Sequence, residues 1–195
     1  MPERITDELL LERAVAGESA AFLQLYERHR DAVFRFAYRL SGTVEVAEDL
    51  THDCFLGLLK SPTNFRPGKA TLRTYLLAAI RNLWLKGLRI QDRETELDGI
   101  TEPKFEAAGR GPLRTILDDE LSAAVKQAVA DLPPMQREAL VLFEYEGLAL
   151  NEIAEIVGAD VGAVKARLHR ARQGLRSSLS TYLNSNPEIV SLEKA

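Results

Sequence analysis

The sequence has one cysteine, Cys54, among its 195 residues. A single thiol makes no internal disulfide and no thiolate metal cage, so a reducing compartment fits the chain best. Glycine and proline are scarce, at 12 and 8 residues, which is too few for a many-turned β protein and favours helices. No apolar run approaches the ~20 residues that cross a bilayer, and Met1-Pro2-Glu3-Arg4 opens no secretory signal. These absences predict a cytoplasmic protein without membrane insertion. No nucleophile–base pair is visible, so no enzyme and no cofactor is expected. Glu48 and His52, with Asp49 and Asp53 beside them, have the spacing of one helix face, but without a second ligating helix they do not make a metal centre. Net charge is slight as well: 25 Lys and Arg against 29 Asp and Glu leave −4, which at face value argues against nucleic acid.

What is present changes that impression. Residues 66–90 carry Arg66, Lys69, Arg73, Arg81, Lys86 and Arg89 with no acid, and residues 161–180 carry Lys165, Arg167, Arg170, Arg172 and Arg176 with none. Residues 43–53, 92–120 and 144–160 are acidic, summing to −4, −5 and −5. Screening confines each block's field to ~8–10 Å at ordinary salt, so the blocks act separately and the net charge describes none of them. One such block reads as a solvated helix face. Two acid-free blocks, one in each half, suggest a bipartite contact with a polyanion.

An apolar fraction of 46% supports packed domains, and the length allows one large or two small ones. Phe22, Leu25, Tyr26, His29, Val33, Phe36, Ala37 and Leu40 step by threes and fours, with Ser19 as N-cap and Gly42 as stop. Ala47, Leu50, Cys54 and Leu58 form a second stripe, and Leu72, Leu76, Ala79, Ile80 and Leu83 a third; a short helix over 7–16 precedes them. Pro62, Pro67 and Gly68 interrupt the chain between the second and third. Residues 91–117 lose the periodicity and read as an acidic linker. Spacing resumes at Leu121, Val125 and Ala128, stops at Leu132-Pro133-Pro134, and restarts with Pro134 at a first helical position. The expectation is an all-α chain of two small helical domains, 1–90 and 118–183, joined by the linker 91–117 and followed by a short tail, 184–195.

Residues 150–169 have the chemistry of a helix-turn-helix. Ala154 is small where two helices touch, Gly158 suits a left-handed turn, Asp160 can cap, and Val164 anchors the second helix. On that helix Val161, Val164, Leu168, Ala171 and Leu175 make the core stripe, while the other face carries Lys165, Ala166, His169, Arg170 and, further round, Arg172. A major groove admits such a helix, and Lys and Arg reach guanine edges or phosphates there. A plain helical hairpin with a solvated basic face is the simpler alternative. In the first domain, Tyr75, Trp84 and Asn82 lie among the six cations of residues 66–90, a composition suited to unstacked bases. Aromatics in a small helical domain are more often core.

Three stretches together resemble the extracytoplasmic-function group of bacterial sigma factors, the smallest members of the sigma-70 family. They are residues 47–56 (Ala47-Glu48-Asp49-Leu50-Thr51-His52-Asp53-Cys54-Phe55-Leu56); Phe65-Arg66 through Thr74-Tyr75-Leu76 to Arg81-Asn82; and Leu132-Pro133-Pro134-Met135-Gln136-Arg137 through Val164-Lys165-Ala166-Arg167-Leu168-His169-Arg170-Ala171-Arg172. The resemblance covers about residues 19–92 and 118–181. It implies a promoter-specificity subunit of RNA polymerase that promotes DNA opening, and an anti-sigma factor as a further partner.

By the same resemblance, Asp49, Leu50, Asp53, Phe55 and Leu58 would grip core polymerase. Lys69, Arg73, Tyr75, Arg81, Asn82, Lys86 and Arg89 would receive the unpaired proximal promoter element. Lys165, Ala166, His169 and Arg170 would read the distal element as duplex, with Arg137, Arg167 and Arg172 on phosphates. The acidic linker would thread the RNA-exit path, and the protein would join the nucleoid during initiation. Tyr75 stands where the family usually has tryptophan, Ala78 where a basic residue is common, and Ala166 where serine is common. A helix-turn-helix regulator with an N-terminal sensing domain is the alternative; such a sensor has no need of Asp49 and Asp53.

Overall fold

Each helix starts and stops for a local reason. The computed structural model describes residues 5–98 and 113–185, with side chains over 5–90 and 122–180. Helix α1 (Asp7–Val15) is capped by Thr6, whose hydroxyl accepts from the Leu9 amide. Helix α2 (Ser19–Ser41) begins after Glu18, which makes no side-chain cap, so Ser19 lies inside the helix rather than capping it. It ends at Gly42, whose φ of 84° is left-handed and lets its amide turn back to the Tyr38 carbonyl at 2.7 Å.

Thr43 caps α3 (Val44–Lys60) by accepting from the Val46 amide. A short 3₁₀ turn (Pro62–Asn64) follows, because Pro62 cannot continue the α-helix. Helix α4 (Leu72–Asp98) opens on Thr71, whose hydroxyl accepts from the Thr74 amide at 3.1 Å. Loss of apolar periodicity after residue 90 did not end this helix. A helix end needs a breaker, and the sequence offers none before Gly99. Helix α5 (Leu113–Ala130) likewise begins inside the expected linker. The rest of that linker, 99–112, lies outside the described residues.

The chain divides into two compact units. In the N-terminal one, α2 packs against α1, α3 and α4, and α3 against α4. Its centre holds Leu25, Phe36, Leu40, Leu58, Leu76 and Ile80, all 0–1% exposed. Burying each such side chain contributes about 1.5–3 kcal/mol. Cys54 belongs to this core, its thiol donating to the Leu76 carbonyl at 3.6 Å; burial pushes its pKa up to about 12.

In the C-terminal unit, Pro134 takes the first position of α6 (Pro134–Leu140), which widens into a π turn over Val141–Tyr145. Helices α5 and α6 both pack on α8 (Val161–Ser185). Before it runs α7 (Leu150–Val157), entered through Leu148 and Ala149. No strand occurs among the described residues, as expected of an all-α chain.

Candidate nucleic-acid interface

The turn between α7 and α8 has the geometry its residues called for. Gly158 sits at a φ of 64°, in the left-handed region where a Cβ costs ~1–2 kcal/mol. The Ala159 amide closes on the Ala154 carbonyl at 3.1 Å. Asp160 then caps α8, Oδ1 accepting from the Ala163 amide at 2.8 Å. A Cβ on Gly162 would lie 2.9 Å from that same Oδ1, so glycine there keeps the cap clear.

Val164, Leu168 and Ala171 turn inward at 0%, 4% and 0% exposure. At 3.6 residues per turn, Lys165, Ala166, His169 and Arg170 then project away from the core. The two cations and His169 are exposed and Ala166 is half-buried. This is a helix face free to enter a groove, with charge at its rim and a methyl group between.

The three arginines expected on phosphates each have a partner within their own unit. Arg167 borders the core stripe and pairs with Glu138, Nη1 to Oε1 3.1 Å; the Glu138 side chain is wholly buried and that of Arg167 16% exposed. It neutralises an internal acid. Arg137 donates from Nη2 to the carbonyls of Ala130 and Leu132, tying down the end of α5 where no further helical amide reaches them. Burial lowers its pKa from the ordinary arginine value, with nearby Asp131 opposing. Arg172 lies 5.3 Å from the centre of the Phe143 ring and 2.7 Å from Glu144, on the surface. None of the three was assigned its acceptor by sequence; Glu138 and Glu144 lie 29 and 28 residues from their arginines and meet them only through packing.

In the N-terminal unit, Tyr75, Asn82, Lys86 and Arg89 fall at intervals of seven, four and three residues and so share one side of α4. Asn82, Lys86 and Arg89 are exposed. Tyr75 is half-buried, held by the edge of buried Phe65, with ring centroids 5.6 Å apart and planes at 60°. Burial raises the Tyr75 pKa, with a smaller contribution from Cys54, so the ring keeps its neutral hydroxyl. Lys69 is exposed in the loop before α4.

Two expected members leave this face. Arg73, half a turn from Tyr75, lines a cleft with Asp7, Arg28 and His29. Arg81 is half-buried beside Asn82, at 3.4 Å from its Oδ1. Trp84 is 5% exposed and belongs to the core. Phe65 was missed as a support for Tyr75, although its place just before the Pro67-Gly68 turn was a usable signal.

Helix α3 separates its residues by side. Val46, Asp49 and Asp53 are exposed and Leu50 half-buried, along one stripe. Phe55 and Leu58, expected on the same outward surface, are 2% and 1% exposed. Phe55 meets Tyr26 edge-on at 4.8 Å and Phe22 at 6.5 Å. Five residues from Leu50 to Phe55 span about one and a half turns, which carries the second to the opposite side.

Residues 25–94 match the sigma-70 region 2 family and residues 122–175 match sigma-70 region 4. The sigma factor SigE of Mycolicibacterium smegmatis is 36% identical over 82% of this chain and 62% of its own length. BldN of Streptomyces coelicolor is 33% identical, matched over 61% of its length, so the chain spans about three fifths of these two relatives. The sigma-E factor of Escherichia coli K12 is 30% identical over 94% of this chain and 99% of its own. Among solved structures, the sigma factor RpoE of Bartonella quintana, in complex with the anti-sigma factor NepR, is 28% identical with a TM-score of 0.68, over 82% of this chain and 96% of that one. The two matched regions and the near-complete coverage of sigma-E show the family: the chain belongs to the extracytoplasmic-function group of the sigma-70 family.

Proposed function

We propose that the protein is a dissociable promoter-specificity subunit of bacterial RNA polymerase, working in the cytoplasm by binding alone. The observation that carries this reading is the pair of outward cationic faces, one in each unit: Tyr75, Asn82, Lys86 and Arg89 on α4, and Lys165, His169 and Arg170 on α8. The α8 face reads the distal element as duplex. The α4 face, with Lys69 from the loop before it, holds the proximal element unpaired. Unstacking a base costs a few kcal/mol, and a stacking ring returns ~1–3 kcal/mol per base. Tyr75, fixed by Phe65, is the stacking ring. The outward stripe of α3, Asp49, Leu50 and Asp53, meets the polymerase's largest subunit, and an anti-sigma factor holds the protein inactive by covering both units.

Transcription from a supercoiled library of promoters from the source genome, with core polymerase alone and with the protein added, tests this directly. New start sites that appear only with the protein are expected, and Asp53→Arg abolishes them by removing polymerase binding. Absence of any protein-dependent start site overturns the proposal.

A further inference from the structure

Helix α8 is longer than the groove contact proposed for it. Its 25 residues run about 37 Å, whereas a major groove is about 12 Å wide and winds around the duplex. A straight helix seated on the groove floor near Lys165 and His169 therefore leaves that floor along its later turns and passes the flanking backbone. The side of α8 that carries Lys165 continues in register through those turns. Arg172 follows Lys165 by seven residues and Arg176 by eleven, and residues 161–185 hold no acid. Eleven residues close three turns to within about 20°, so Arg176 stands about 16 Å beyond Lys165 on the same side. Val164, Leu168 and Ala171 are buried and fix the inward side; Lys165, Arg172 and Arg176 are exposed.

The two arginines differ in company. Arg172 donates from Nε and Nη2 to one oxygen of Glu144, at 3.2 and 2.7 Å, and lies over the Phe143 ring. Both partners come from the π turn, Val141–Tyr145. A guanidinium already matched by a carboxylate brings no net charge to DNA and so adds little to counterion release. Among the described residues no carboxylate is paired with Arg176. Its guanidinium keeps the donor fork that fits a phosphate.

We propose that Arg176 is a DNA-phosphate contact of α8, taking at the edge of the groove the role that Arg172 gives up to Glu144. The proposal rests on the promoter reading above, because it needs α8 to enter a duplex. The ligand is one phosphodiester of the duplex backbone. Such a contact adds affinity and fixes register without reading sequence.

The test is fluorescence anisotropy of the full chain with two twenty-base-pair duplexes of unrelated sequence, from about 50 to about 200 mM salt. Arg176→Gln is expected to lower the salt slope by about one on both duplexes, which makes the loss of affinity across that range about three- to fourfold smaller. Arg176→Lys keeps the charge and is expected to keep the slope. Arg35→Gln removes the same charge from an exposed position on α2 and is expected to change nothing. Glu144→Gln combined with Arg172→Gln removes the surface pair at constant net charge, and it too is expected to keep the slope.

An unchanged slope for Arg176→Gln overturns the inference, as does an equal fall for Arg35→Gln or for the doubly substituted chain. A fall on one duplex alone makes Arg176 a reader of bases and overturns it as well. Lys165→Gln tells this failure from failure of the promoter reading. A slope lowered by Lys165→Gln but not by Arg176→Gln defeats the inference alone. A slope lowered by neither defeats the duplex contact of α8 itself.

Discussion

Replacing Arg167 with methionine separates an internal role from a DNA contact. The guanidinium pairs at 3.1 Å with Glu138, whose side chain has no exposed surface, while Arg167 itself is 16% exposed. Methionine keeps the apolar stem against the core and removes only the charge. Breaking a buried pair by deleting one partner costs about 3–5 kcal/mol, because the remaining charge stays out of water. Glu138 has further polar contacts, which places the expected cost near the lower end, about 3 kcal/mol. For a unit of this size that lowers the melting temperature on the order of 15 °C.

Thermal unfolding of the full chain followed by far-ultraviolet circular dichroism reads this loss. Glu138→Leu combined with Arg167→Met, which removes both charges, is expected to recover most of it. A phosphate contact behaves otherwise: its removal leaves stability unchanged and reduces the salt slope of DNA binding by about one. A variant that melts within ~3 °C of the unaltered chain and shows that reduced slope refutes the internal assignment.

Three further outcomes follow from the same structure. Arg170→Ala is expected to change the ranking of promoter variants in a binding competition, by about 1–3 kcal/mol at the base pair it reads; equal weakening on every variant contradicts base reading. Phe55→Ala is expected to lower stability by about 3–5 kcal/mol in denaturant unfolding, whereas Asp53→Arg on the exposed stripe melts normally; matching melts for the two would place Phe55 outside the core. Cys54 has its pKa raised from 9.0 to about 12, so the native thiol is expected to resist alkylation at pH 8 and to react once the chain unfolds. The folded state holds that proton more tightly than the unfolded one, so stability falls as pH rises from about 9 towards 12, and a native thiol that alkylates at the rate of a free one refutes its burial.

Local chemistry was enough for most of the architecture. Gly42 and Gly158 adopt the left-handed turns that glycine permits, Thr43 and Asp160 cap by short side chains reaching amides three residues on, and Pro134 begins a helix it cannot sit within. These depend on a few neighbouring residues, which a sequence displays directly. The outward face of α8 was legible for a related reason: Val164, Leu168 and Ala171 fix the inward side, and the helical repeat then dictates where Lys165, His169 and Arg170 point. The far end of α4 was not, because a polar helix with no breaker looks the same as a linker in hydrophobic spacing.

Partnership was decided by tertiary structure alone. By sequence, Arg137, Arg167 and Arg172 were three phosphate contacts alike and Arg170 a base reader beside them. Packing gives the first to the α5 carbonyls, the second to Glu138 and the third to Glu144, and leaves Arg170 exposed on the outward face. In the other unit it takes Arg73 to the cleft beside Asp7 while Tyr75 stays with Asn82 and Lys86. The sequence by itself determined the helices, their sides and the two basic blocks, since a helix obeys its own spacing. Which charge meets which acid depends on how helices far apart in the chain come together, and distance through space is the one quantity that spacing along a chain does not contain.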